Sequence, residues 1–159
     1  MGTRKDEKGQ RFEFLIRRID EALDEGFYVE TIAITYALFE ERTYRLLDRL
    51  NVSYRKRDKL YDCLVKLENA INSGTVSVTT TKMNSDKFND LLKDLFITSN
   101  LILDIHNWRD SRNDVMHDLA KTNMDYEGLK TTCESGRDLF RKYTAIIMKL
   151  KKNIDETSV

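Results

Sequence analysis

The sequence predicts an all-α fold, an antiparallel helical bundle of about five to six helices, on three observations. The 159 residues contain no proline and only six glycines, so the strongest breakers of a helix interior are missing. Apolar residues return at steps of three and four along most of the chain, which is the spacing of one helix face. Apolar residues make up 40 % and charged residues 34 %, a balance that supports a buried core and argues against a disordered chain. Residues 1–159 read as a single helical bundle domain, with frayed tails at about 1–9 and 153–159.

The first helix is expected over about 10–25. Phe12, Leu15, Ile16, Ile19 and Leu23 form its stripe, and Gly26 is its expected stop. A second, about 27–50, carries Val29, Ile32, Tyr36, Thr43, Leu47 and Leu50. A third, about 55–72, carries Leu60, Leu64, Leu67 and Ile71. The basic stretch YRKRDK at 54–59 is read as solvated helix surface rather than a nucleic-acid track. Residues 72–86, NSGTVSVTTTKMNSD, have no helical stripe and are read as a long loop, with room for a short extended piece at Val76 and Val78. A fourth helix is expected over about 86–109, with Phe88, Leu91, Leu92, Leu95 and Ile102. The last, about 125–152, places Leu129, Cys133, Gly136, Phe140, Tyr143, Ile147 and Leu150 at alternating steps of four and three. That heptad-like stripe suits packing along a partner helix, including one from a second subunit.

Lys plus Arg and Asp plus Glu number 27 each, so the net charge is zero. Proteins that coat duplex DNA are usually strongly basic; zero net charge still allows a small site that grips one or two phosphates. No apolar run reaches the ~20 residues of a membrane span. The opening MGTRKDEKGQ is polar and lacks the apolar region of a signal peptide, so a cytoplasmic location is expected. Cys63 and Cys133 read as two buried thiols. Two Cys and two His without C-x2-C or H-x3-H spacing give no basis for a metal site, and no cofactor is expected.

Two residues break the apolar pattern. Glu40 falls in the middle of the stripe made by Ile32, Ala33, Tyr36, Thr43 and Leu47, whereas the other charges of that helix cluster on the opposite side. A carboxylate on a buried face is costly unless paired. Glu40 therefore either sits at the core edge, reaching water or a structural Arg, or lines a polar pocket. His106 similarly extends the stripe of Phe88, Leu95 and Ile102, and a satisfied core histidine is the plainer account.

The stretch SRNDVMHDLA, 111–120, holds the second histidine, His117, five residues after Arg112. On one unbroken helix, residues five apart point about 140° away from each other. Convergence on a single ligand then requires either a helix break in RDSRND, where Asp110 and Ser111 are good N-caps, or a symmetric dimer that brings two copies of the pair together.

RNDVMH at 112–117 resembles the signature of the HEPN domains, all-helical nucleotide-binding and ribonuclease domains. Their motif is Arg, a polar residue that is often Asn, and a short spacer to His, placed late in a helical bundle. The resemblance covers most of the chain as helix order and about six residues as motif. It implies metal-independent endoribonuclease activity in a homodimer with a composite active site, acting on RNA as a toxin or a defence effector, under an antitoxin or another regulatory protein. Arg112 and His117 would be catalytic, Asn113 would position them or the phosphate, and Glu40 would fill the place of an extra acidic residue on an earlier helix. Members silenced by a partner nucleotidyltransferase carry Tyr two residues after the His; Leu119 stands there in this chain, so the resemblance does not extend to that control. The chemistry suits the residues. RNA brings its own 2′-OH nucleophile, an imidazole moves protons near neutral pH, and a guanidinium stabilises charge on phosphate. The alternative is a non-catalytic HEPN-like module that binds protein or nucleotide.

Overall fold

The computed structural model describes residues 4–78, 83–121 and 125–154, and all the regular secondary structure among them is helical. The elements are α1 (Arg4–Asp24), α2 (Tyr28–Arg49), α3 (Leu60–Ser73), α4 (Ser85–Leu92), a π-helical turn (Lys93–Thr98), α5 (Leu101–Asp118) and α6 (Tyr126–Lys151). The helical bundle expected from the periodicity is present. No described helix is long and apolar enough to cross a membrane.

α2 lies at the centre, packed against α1, α3 and α6, while α5 rests on α6 and the π-helical turn. The link from α1 to α2 is short because Gly26 takes φ +79°, left-handed backbone that glycine adopts without strain. Its neighbour Phe27 donates its N–H back to Ala22 O at 2.8 Å. Across the same corner Arg18 grips the Glu30 carboxylate at 3.0 and 3.1 Å. The main core gathers Phe39, Leu46 and Leu47 from α2, Leu64 and Leu67 from α3, Phe96 from the π-helical turn, Ile105 and Trp108 from α5, and Phe140 and Tyr143 from α6. Tyr143 is fully enclosed, and its hydroxyl is 2.8 Å from Thr43 Oγ1. Cys63 and Cys133 are free, buried thiols.

Several sequence expectations are corrected. α1 begins at Arg4 rather than near 10, inside the tail expected to fray over 1–9. α3 begins at Leu60 rather than 55, so YRKRDK is a connector and not helix surface. Here Asp58 accepts the Arg55 N–H at 2.8 Å and pairs with Lys66, while Asp62 accepts the Lys59 N–H at 3.0 Å to open the helix. The loop expected over 72–86 shortens at both ends, since α3 runs to Ser73 and α4 starts at Ser85. Val76 and Val78 pack on the core without forming a strand, and 79–82 lie outside the described residues. The last five residues of the chain, in the tail expected to fray, lie outside them as well.

The single helix expected over 86–109 is divided, and the break falls at Ser99–Asn100 instead of at RDSRND. Asn100 sits at φ 62°, a left-handed conformation that asparagine tolerates better than most residues. α5 then runs unbroken through Asp110, Ser111 and the whole of RNDVMH, so neither expected N-cap caps anything. The heptad-like stripe of α6, Leu129 to Leu150, is buried within the same chain and leaves no free seam for a second subunit. Gly136 in that stripe lets α5 come close: a Cβ there would lie 2.5 Å from Trp108 Nε1. The same indole N–H donates to Thr132 O at 2.9 Å, fixing α5 to α6 at this level.

Candidate functional site

Along α5 the inward line Leu101, Ile105, Trp108 continues, one turn later, to Arg112. A cation thus takes a position that an apolar residue would fill in the core. Its guanidinium lies over the Tyr36 ring of α2 at 4.3 Å, and Nη1 donates to Asn113 Oδ1 at 2.9 Å. Arg112 Nε is buried without a partner. The next turn closes over a small second cluster: Val115, Met116 and Leu119, with Tyr28, cover Leu23, Ile32, Leu129 and Cys133.

His117 is on the other side of α5, exposed, and no hydrogen bond or ion pair holds its ring among the described residues. Because α5 is continuous here, the two side chains leave the helix about 140° apart. One chain does not bring Arg112 and His117 to a common point.

Glu40 is half-buried and lacks an arginine partner among the described residues. Its Oε2 instead accepts the first N–H of α3, that of Leu60, at 3.3 Å. A carboxylate at that position meets the positive end of the α3 dipole, which explains how a charge sits on the stripe of α2. Glu40 and Arg112 share one neighbourhood through Tyr36. Burial raises the Tyr36 phenol and the Glu40 carboxylate raises it further, while the Arg112 and Arg109 charges oppose the rise.

His106 is a rim residue rather than a core one. It is half-buried with its ring against Tyr61 of α3, centroids 5.4 Å apart and planes tilted by 62°. Burial, with Arg109 next in importance, lowers its pKa below the ordinary imidazole value, although Glu68 and Asp110 pull the other way.

Arg109, Tyr36 and Tyr61 were not singled out from the sequence. Arg109 lies over the Tyr61 ring at 4.7 Å, and its Nε is also buried without a partner. Its Nη2 meets Asp110 Oδ1 at 2.6 Å. The available signal was the three-residue spacing from Arg109 to Arg112, which becomes informative only once α5 is known to be continuous. The structure thus gathers Glu40, Arg112 and Asn113 about Tyr36, sets His106 and Arg109 against Tyr61, and places His117 outside both groups.

Among the described residues, no three His, Cys, Asp or Glu side chains are grouped to hold a metal ion. Chemically, these neighbouring groups offer two guanidiniums, an imidazole and two phenols, a donor set suited to a phosphate and a flat ring. No known family model, curated protein or solved structure matches the chain.

Proposed function

We propose that the protein is a metal-independent endoribonuclease of the HEPN type, acting in the cytoplasm as a toxin or an antiviral or stress-defence effector. It works as a homodimer whose composite site draws on both copies of the Arg112 and His117 pair. The observation that carries this reading is the state of Arg112. It is a half-buried cation bonded to a neutral amide, with Nε unpartnered. Holding a guanidinium this way costs stability unless an anion completes it, and a phosphate is the fitting anion for its forked donors.

In the reaction the ribose 2′-oxygen attacks the adjacent phosphorus and the bond to the 5′-oxygen breaks, leaving a 2′,3′-cyclic phosphate and a free 5′-hydroxyl. One imidazole takes the 2′ proton and another supplies a proton to the leaving oxygen, each contributing about 10²- to 10⁴-fold. A two-fold dimer supplies two such imidazoles, and it also removes the obstacle that His117 and Arg112 of one chain diverge. Arg112 holds the charge that builds on the phosphate oxygens, with Asn113 fixing its orientation. An antitoxin or another regulatory protein would control the activity. The test is RNA cleavage with chelator present. The wild type is expected to cut, and His117→Ala to lose at least about 100-fold. Light scattering should give twice the chain mass of 18.7 kDa. A mutant that cuts at the wild-type rate, or a strictly monomeric active enzyme, overturns the reading.

A second reading, a non-catalytic module that binds nucleotide or protein, is favoured by the contacts Arg112 makes within its own chain, to Tyr36 and Asn113. It predicts binding of RNA or nucleotide without cleavage in the same assay.

A further inference from the structure

Two guanidiniums project from α5, and each lies on a tyrosine ring of a neighbouring helix. The stack of Arg109 on Tyr61 is the more open. Tyr61 keeps 48 % of its surface exposed, while the Arg109 side chain keeps 19 %. His106 adds its ring to the same tyrosine. A phenol, a guanidinium and an imidazole therefore share one rim at the surface. None of them contributes to the reaction proposed for Arg112 and His117.

The surrounding charges leave Arg109 available. Its one ion pair among the described residues is with the exposed Asp110, an adjacent residue whose hold is weakened by solvent. Asp62 and Glu40 are turned to the first N–H groups of α3 and are partly offset by its dipole. Glu68 and Asp110 act on His106 against Arg109. Arg109 Nε, buried and unpartnered, is a donor still lacking an acceptor.

We propose that Tyr61, Arg109 and His106 form a nucleotide subsite for single-stranded RNA, in which a base stacks on Tyr61 and the neighbouring phosphate is held by Arg109. The proposal rests on the RNA-cleaving reading and extends its substrate path along α5. Arg109 and Arg112 are separated by about 4.5 Å of helix rise, short enough for successive phosphates of one strand to meet both. Aromatic stacking tolerates any base, so the subsite gives grip rather than sequence choice.

The experiment uses the full chain carrying His117→Ala, so that RNA stays intact, and a fluorescein-labelled 12-nucleotide oligouridylate read by anisotropy across a salt series. Adding Tyr61→Ala should weaken binding about 5- to 150-fold, and Tyr61→Trp should restore it to near the parent value. Arg109→Gln should weaken binding and flatten the slope of log K against log salt by about 0.7. Thermal melts check the fold; if Tyr61→Ala unfolds, Tyr61→Leu takes its place as the variant without a stacking ring. Parent-like binding by the ring-less variant and Arg109→Gln overturns the subsite, and so does a parent that does not bind at all. Displacement of the RNA by polyglutamate at equal charge would assign the rim to acidic protein and also overturn it. The two proposals fail separately. Binding with these losses but no cleavage by wild type removes the nuclease and keeps the subsite, whereas cleavage that ignores Tyr61 and Arg109 removes only the subsite.

Discussion

The bundle has two apolar regions of unequal size, and α5 crosses from one to the other. Its first half, Leu101 to Trp108, is set in the main core, where Trp108 presses on Gly136 and Tyr143 is enclosed with its hydroxyl satisfied. Its second half covers, among the described residues, a cluster of four buried side chains, Leu23, Ile32, Leu129 and Cys133, beside a cleft of about 320 Å³ edged by the exposed Phe27 and Tyr126. One helix thus has a firmly packed half and a thinly packed half, and RNDVMH is on the thin one. Segments with few buried contacts open more readily than the global fold, and groups that must meet a ligand or a second subunit are best placed there.

The contrast can be broken or sharpened by substitution, beginning with the main core. Trp108→Ala should cost about 3–5 kcal/mol in urea unfolding, since it empties a large volume and removes the indole hydrogen bond that ties α5 to Thr132 O. A loss under 1 kcal/mol would mean that the α5–α6 contact is not the firm one. Leu129→Ala, in the small cluster, should cost less, about 2 kcal/mol, because a site near the surface relaxes and rehydrates more easily. Equal losses at the two positions would remove the distinction between the regions.

The buried thiols give a pH test. Burial pushes the Cys63 thiol up to about 11 and the Cys133 thiol up to about 12, from an ordinary thiol value of 9.0. Both groups hold their proton more tightly folded than unfolded. Their contribution to stability is whole below pH 9 and is lost as pH rises through 11 to 12. Denaturation midpoints should fall across that window, and Cys63→Ala with Cys133→Ala should flatten the fall. At pH 8, thiol labelling should reach Cys133 before Cys63, because the thin region opens first. The smallest effect belongs to His117. Its exposed ring has no partner among the described residues, so His117→Ala should change stability by less than about 0.5 kcal/mol. A large loss would place His117 in the fold rather than at a site.

The helices were legible because their stripes are long, and the core positions of α3 and α6 follow the spacing residue for residue. The junctions were less so. Polar clusters such as RDSRND look like breaks, yet α5 passes straight through this one with Arg112 inward and Asp110 and Ser111 outward. Two of the real joints use glycines, Gly26 and Gly74, but two others use single asparagines, Asn51 at φ 55° and Asn100 at φ 62°, which carry little weight beside Gly or Pro in a sequence. Glu40 stood out as a charge on an apolar stripe, but its partner is a backbone N–H twenty residues away, which no side-chain pattern encodes. The divergence of Arg112 and His117 followed from helical geometry alone; only the continuity of α5 had to be learned from the structure.

The contact between Trp108 and Gly136 has a mechanical consequence. It would serve as a fulcrum partway along α5, with His117 nine residues out on the thinly packed arm, about 13 Å away. A tilt of some 10° about that pivot would swing the imidazole by about 2 Å while the main core held still. Whatever docks against the outer arm can therefore aim this histidine by repacking the small cluster while leaving the main core in place.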